Sequence, residues 1–223
     1  MKRTIFIWDV HGCYDELMAL CARVEITEDD HLYFVWDLIN KWPKSLEVVE
    51  FVRHRPNTWS VIGNHEYFLL TDMDDLNPIM VTDEIRRWRF SSSFAHVDEL
   101  RLILSPHREW LLSLPHIIER EDFIVIHGGI HPEYGLDTPL EIATLIRNVD
   151  GKQWYLSYAG KKPVFYGHWA TEWLRIRTNT IGLDTWCCFG WALTAYCLES
   201  REVWQVRANR VHKEPNHWKT IQS

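Results

Sequence analysis

Five short polar clusters hold the residues able to do chemistry in this chain. They are Asp9-x-His11, Asp37-x-x-Asn40-Lys41, Asn64-His65-Glu66, His127-Gly128-Gly129 and Gly167-His168, and each follows an apolar run. A lone Asp or His at such a place is more often a cap or a satisfied polar residue than a ligand. Five together, each with an Asp, Asn or His, are hard to explain that way. Carboxylate, imidazole and amide oxygen together suit divalent Mn²⁺, Fe or Zn²⁺. Two-metal hydrolases hold such ions about 3.5–4 Å apart, which requires a shared carboxylate flanked by separate ligands for each ion. Asp37 stands at the centre of this reading. It ends the apolar run that starts at Leu32, and the cation Lys41 follows four residues later.

The bulk numbers are compatible with such an enzyme. The 223 residues make one domain the natural expectation, here residues 1–210 with a polar tail over 211–223. Hydrophobic residues are 46% and charged residues 25%, an ordinary globular composition. The net charge of −7 argues against a nucleic-acid polymer as partner, which requires a basic face. It leaves room for a phosphorylated small molecule held by a few cations and a metal. Lys2 and Arg3 precede an apolar run of only Ile5–Trp8, too short for a signal peptide. No stretch approaches a membrane span. The five cysteines, Cys13, Cys21, Cys187, Cys188 and Cys197, are odd in number and contain no C-x-x-C, so free thiols and a cytoplasmic location are expected.

The elements that must position the clusters read as strand and helix in alternation. Thr4–Val10, His31–Asp37 and Thr58–Ile62 are expected as strands. Cys13–Val24 and Ser45–Arg55 are expected as helices between them. Leu17, Leu20, Cys21 and Val24 share one helical face, and Asp15 and Glu16 sit in the first turn, where the helix dipole favours anions. Helices are also expected at 83–90 and 106–114. After Pro115 the pattern turns to strands (116–119, 123–127, 163–167, 175–178, 180–184, 192–198 and 202–207), interrupted by a helix over 139–148. The second half thus reads as another sheet facing the first.

With these residues in view, the chain resembles the calcineurin-like metallophosphoesterases. The series Asp9-Val10-His11-Gly12, Asp37-Leu38-Ile39-Asn40-Lys41, Gly63-Asn64-His65-Glu66, His127-Gly128-Gly129 and Gly167-His168 carries the likeness. Within that family it is similar to symmetric bis(5′-nucleosyl)-tetraphosphatases and to bacterial serine/threonine protein phosphatases. Gly167-His168-Trp169-Ala170 and the run from Leu183 to Gly190 favour the former. The resemblance implies an α/β fold, a four-layer αββα sandwich with mixed sheets. It implies two divalent ions, Mn²⁺ first with Fe or Zn as alternatives. Asp9 and His11 would bind one ion, Asn64, His127 and His168 the other, and Asp37 would bridge them. A metal-bridging hydroxide would attack phosphorus, and His65 would protonate the leaving oxygen. Lys41 stands where the family usually has an arginine that grips phosphate. Arg147 is a second candidate clamp; an exposed helix-end arginine is an equally good reading of it.

Asn40 bears on the substrate. Protein phosphatases usually have Asp there, paired with the histidine corresponding to His65. Asn orients an imidazole but makes it less basic, which matters less for an acidic leaving group such as a nucleoside polyphosphate. The resemblance therefore implies a metal-dependent hydrolase of dinucleoside polyphosphates. A phosphoprotein phosphatase is the alternative enzyme.

Tryptophan departs from the family pattern. The chain has 13 Trp and 10 Gly, where average usage of about 7% glycine would give roughly 16. Trp8, Trp36, Trp42, Trp186 and Trp191 stand where the family has glycine, and Trp173 is a plausible sixth. Indoles facing the cleft would fill space needed by substrate; indoles facing the core would overpack it. A silent nucleotide- or partner-binding module is the third reading for that reason. Trp169 could line the cleft, and Tyr155 or Tyr158 could stack a base.

Overall fold

A computed structural model describes residues 2–35, 37–41, 44–72, 100–102 and 104–211. The expected helix at 83–90, Trp36, Trp42 and nearly all of the expected tail lie outside the described residues.

Three apolar runs pair in parallel, β1 (Thr4–Ile7), β2 (His31–Phe34) and β3 (Thr58–Ser60). Helices α1 (Tyr14–Val24) and α2 (Ser45–His54) make the crossovers. A parallel pair requires such a crossover. Residues of alternating parity then face opposite ways. Phe6, Trp8 and Tyr33 face the second sheet, while Phe34 turns to the helices and meets Phe51 edge-on.

The second sheet has the order β4-β5-β8-β10-β9. Its strands are β4 (Ile117–Glu119), β5 (Ile124–Ile126), β8 (Val164–Tyr166), β9 (Arg175–Ile176) and β10 (Thr180–Gly182). Val125 and Phe165 point into the core between the sheets, where Phe165 stacks on Phe6 at 3.6 Å. Ile124, Ile126, Val164 and Tyr166 point outward into a second core covered by α5 (Leu140–Leu145) and α6 (Trp154–Ser157). The layers are therefore helix, sheet, sheet, helix, as the resemblance implies. Helix α3 (Asn64–Asp72) follows β3, and a short 3₁₀ turn at Ser105–His107 leads into α4 (Arg108–Leu112).

Three features depart from the sequence reading. The last two strands, β11 (Ala192–Cys197) and β12 (Val203–Arg207), do not extend the second sheet. They return to the first, giving the order β12-β11-β1-β2-β3, with β11 antiparallel to β1. Local periodicity cannot tell which sheet a strand joins. The helix expected to reach Asn148 stops at Leu145, with Ile146 already extended, so Arg147 lies past its end. A hairpin of β6 (Asn148–Val149) and β7 (Lys152–Gln153) fills the gap before α6.

Trp8 is buried among Phe6 and Phe165, and its indole N–H donates to the Tyr166 carbonyl at 2.8 Å. It faces the core and its donor is satisfied. Among the described residues, no helix is long and apolar enough to cross a membrane.

The entry to β1 is clamped by an ion pair. Arg3 donates to both carboxylate oxygens of Asp30, at 3.0 and 2.6 Å, and to the carbonyls of Val24 and Glu25. Burial pushes the Asp30 carboxyl up, but Arg3 and the Thr27 amide outweigh it and hold the pKa at about 2. A depressed pKa stabilises the fold above the unfolded value of about 3.9 and is lost as pH falls through about 2. Asp30→Asn should therefore cost about 2 kcal/mol at neutral pH. Urea titration should show that difference shrinking between pH 4 and 2; a pH-independent cost would refute the assignment.

Candidate metal centre

The loops that leave β1 and β2 turn sharply and are bonded to each other. His11 and Gly12 donate their amides to the carbonyls of Asp37 and Leu38 at 2.6 and 2.8 Å. To do this, several side-chain-bearing residues adopt left-handed backbone: His11 (φ 46°), Asp37 (43°), Asn40 (68°), Lys41 (63°) and, on the other sheet, His168 (64°). Asp, Asn and His tolerate this region better than most residues, yet it costs free energy and clusters at functional sites.

These turns aim the side chains at one point between the sheets. One group contains His11, Asp37 and His65; another contains Asp9, Asp37 and His127. Asp37 is common to both. His11 Nε2 and His65 Nε2 stand 3.4 and 3.9 Å from Asp37 Oδ2. His127 Nε2 stands 3.7 Å from Asp37 Oδ1, and His127 Nδ1 stands 3.8 Å from Asp9 Oδ1. Ligands about 2.0–2.2 Å from one ion lie within about 4.4 Å of each other, so the spacings among Asp9, His11, Asp37 and His127 suit shared coordination. Asn64 Oδ1 completes the second group, 2.9 Å from His127 Nε2 and 2.7 Å from His168 Nδ1.

The hydrogen bonds leave lone pairs pointing inward. Both Asp9 oxygens are buried with no hydrogen-bond partner. Burial pushes the Asp9 carboxyl well up, and the neighbouring Asp184 charge adds to it. Burial raises Asp37 too, with Glu66 adding to it, and lowers His127 to about 3. Buried carboxylates without a counter-charge are costly. A divalent pair removes that cost, and neutral imidazoles are the form that ligates metal. His11 is arranged likewise: Nδ1 donates to the Ile39 carbonyl at 3.2 Å, which leaves the lone pair on Nε2. The donor set fits two divalent ions.

Glycine is required where backbone passes these carboxylates. A Cβ on Gly63 would lie 2.3 Å from Asp37 Oδ1, and one on Gly167 would lie 2.9 Å from both Asp9 oxygens.

The profile of the family described as "Calcineurin-like phosphoesterase" matches residues 2–195. The chain belongs to the calcineurin-like phosphoesterases. It is 26% identical to a symmetrical bis(5′-nucleosyl)-tetraphosphatase of Vibrio campbellii over 92% of this chain and 98% of that protein. It is 31% identical to the enzyme of that name from an Enterobacter species, over 89% of this chain and 71% of that one. A solved structure assigned as a diadenosine tetraphosphatase superposes with TM-score 0.76 at 27% identity, covering 93% and 94% of the two chains.

All six residues that the sequence placed as ligands of this phosphoesterase come together: Asp9, His11, Asp37, Asn64, His127 and His168. His65 and Asn40 join them, with Asn40 Nδ2 2.9 Å from His65 Nδ1. Lys41 reaches into the centre, its ammonium donating to His11 Nε2 at 2.7 Å and lying 5.2 Å from the Phe189 ring centroid. Arg147 is exposed, and its Nη2 donates to the His168 carbonyl at 3.3 Å.

Two carboxylates lie in motifs that the sequence singles out but have no role assigned there. Glu66 is wholly buried; its Oε1 accepts the amides of Leu38 and Ile39 at 2.9 and 3.1 Å, and its Oε2 accepts that of Gly63 at 3.1 Å. It staples the Asp37 loop to the start of α3. The signal was its spacing, because a Glu three residues after an N-cap is half of a capping box. Asp184 lies beside Asp9, 175 positions away in sequence, and no local signal could reveal that.

Proposed function

We propose that this phosphoesterase hydrolyses phosphoanhydride bonds of dinucleoside polyphosphates, as the names of its relatives state for them. Asp9, His11, Asp37, Asn64, His127 and His168 hold two divalent ions, with Mn²⁺ the first choice. When bound, the pair supplies Lewis acidity and a nucleophile at neutral pH. Lys41 beside His11 and Arg147 beside His168 place cations near both groups, where phosphate oxygens gather.

One observation carries the choice of substrate. The Lys41 amide donates to Asn40 Oδ1 at 2.6 Å, so Asn40 presents its NH₂ to His65 Nδ1. The ring therefore accepts at Nδ1 and carries its proton on Nε2, the nitrogen near Asp37. A second proton on Nδ1 would face the Asn40 NH₂, itself a donor. His65 can thus donate a hydrogen bond from Nε2 to the leaving oxygen but is poorly placed to hold the imidazolium that full proton transfer requires. That suits an acidic polyphosphate leaving group better than a serine alkoxide. The burial of Trp8 in the core supports an active enzyme over a silent module.

The test compares diadenosine tetraphosphate with a phosphoserine peptide in Mn²⁺ buffer. General acid catalysis is worth about 10²–10⁴-fold, so kcat/KM should favour the anhydride by at least about 10². Asn40→Asp should narrow the gap. A clear preference of the wild type for the peptide would sink the proposal.

A further inference from the structure

Two indoles stand exposed at the ends of the sheets that carry the metal centre. Trp173 is 74% exposed and Trp191 is 44% exposed. Most of the described aromatics are buried or half-buried, and exposed apolar patches mark binding sites.

The strand registers place both indoles at the centre's level. In the second sheet, Gly182 pairs with Tyr166 on one side and with Arg175 on the other. Tyr166 leads directly into Gly167-His168, so Trp173, two residues before Arg175, rises at the same end. In the first sheet, Ile7 pairs with Ala195 and the Trp8 amide donates to the Thr194 carbonyl. Trp191 precedes these on an antiparallel strand and therefore lies beyond Ile7, on the side of Asp9 and His11. Both indoles occupy the flank where the chain crosses from β10 to β11, one on each sheet.

That flank is joined to the centre at two points. Phe189, in the crossing loop, lies under the Lys41 ammonium that touches His11. Trp169, next to His168, is held by Arg175, whose guanidinium donates to the Trp169 carbonyl and sits 5.4–5.5 Å from the rings of Tyr155, Tyr166 and Trp169. The loop that ends in Trp173 is pinned further by the Thr171 amide on the Asp184 carbonyl, at 3.0 Å. Aromatic side chains thus continue outward from the centre that holds Lys41 and the candidate metal ligands.

We infer that Trp173 and Trp191 form a nucleobase subsite. They stack one base of the substrate while its phosphate chain reaches the centre, an inference that rests on the function proposed above. Stacking tolerates any base, so the subsite selects nucleotides over bare polyphosphate and not one base over another.

The experiment titrates the Mn²⁺-loaded protein with ADP and with pyrophosphate, which lacks a base. The wild type should bind ADP more tightly. Trp173→Ala and Trp191→Ala should each weaken ADP about five- to a hundredfold and leave pyrophosphate unchanged. Equal loss for both ligands, or no loss for either, overturns the subsite. A wild type that cleaves diadenosine tetraphosphate yet binds ADP and pyrophosphate alike overturns the subsite and leaves the hydrolase standing. A protein that holds ADP through these indoles but cleaves no dinucleoside polyphosphate supports the subsite and overturns the hydrolase.

Discussion

Asp37→Asn is expected to abolish turnover while leaving the metal-stripped protein at least as stable as the wild type. The two effects share one cause. Asp37 is common to both candidate ligand groups, so its charge would serve both ions. A single electrostatic contact in an active site is worth about 10²–10³-fold in rate, and a carboxylate shared by two ions should exceed that. Without ions, the same carboxylate is buried near Glu66 and Asp9, and burial raises its pKa well above normal. The amide removes a charge that the fold alone does not compensate, while its oxygen can still accept the His65 amide that Asp37 Oδ1 takes at 3.1 Å. Calorimetric titration with Mn²⁺ should show weakened binding of both ions. Thermal melts in EDTA should show an unchanged or higher midpoint, at about 2–4 °C per kcal/mol for a chain of this size. Two intact Mn²⁺ sites in the variant would refute the shared role.

Glu66→Ala should do the opposite and damage the fold together with the activity. Its carboxylate is the partner of three amides, two on the Asp37 loop and one at Gly63. Each buried amide left unpaired costs about 1–3 kcal/mol, so the loss should be at least about 3 kcal/mol. The melting point should fall by about 6 °C or more. Glu66→Gln keeps one acceptor oxygen and sets an NH₂ against the remaining donors, so it should lie between the wild type and alanine. Turnover should follow the same order, because the Asp37 loop and the start of α3 lose their common anchor. A Glu66→Ala protein with wild-type stability in urea would show that the staple is dispensable.

These expectations draw on different depths of information. The αββα fold was legible because its first half alternates apolar runs with amphipathic helices, and the motifs at the run ends name a family. The residues that the structure gathers at the candidate centre were legible for the same reason: strand C-termini are where open α/β sheets place their crevices. Asn40 was legible as a hint about the leaving group, but only the Lys41 amide on its Oδ1 shows which face it turns to His65. The helix end near Arg147 was misread because Ile146 and Arg147 continue the apolar and charged pattern of α5 while their backbone is already extended.

By itself, then, the sequence determined the residue types, their spacing and the elements that bear them. Those are local properties set by side-chain periodicity, turn chemistry and the donor atoms each residue offers. Tertiary structure alone decided that β11 and β12 rejoin the first sheet, that Trp8 turns into the core, and that Glu66 and Asp184 stand beside residues distant in sequence. It also set Trp173 and Trp191 on one flank of the centre. The physical reason is that sheet order, facing and burial depend on how separate elements pack, and no window of the chain contains both partners of such a contact.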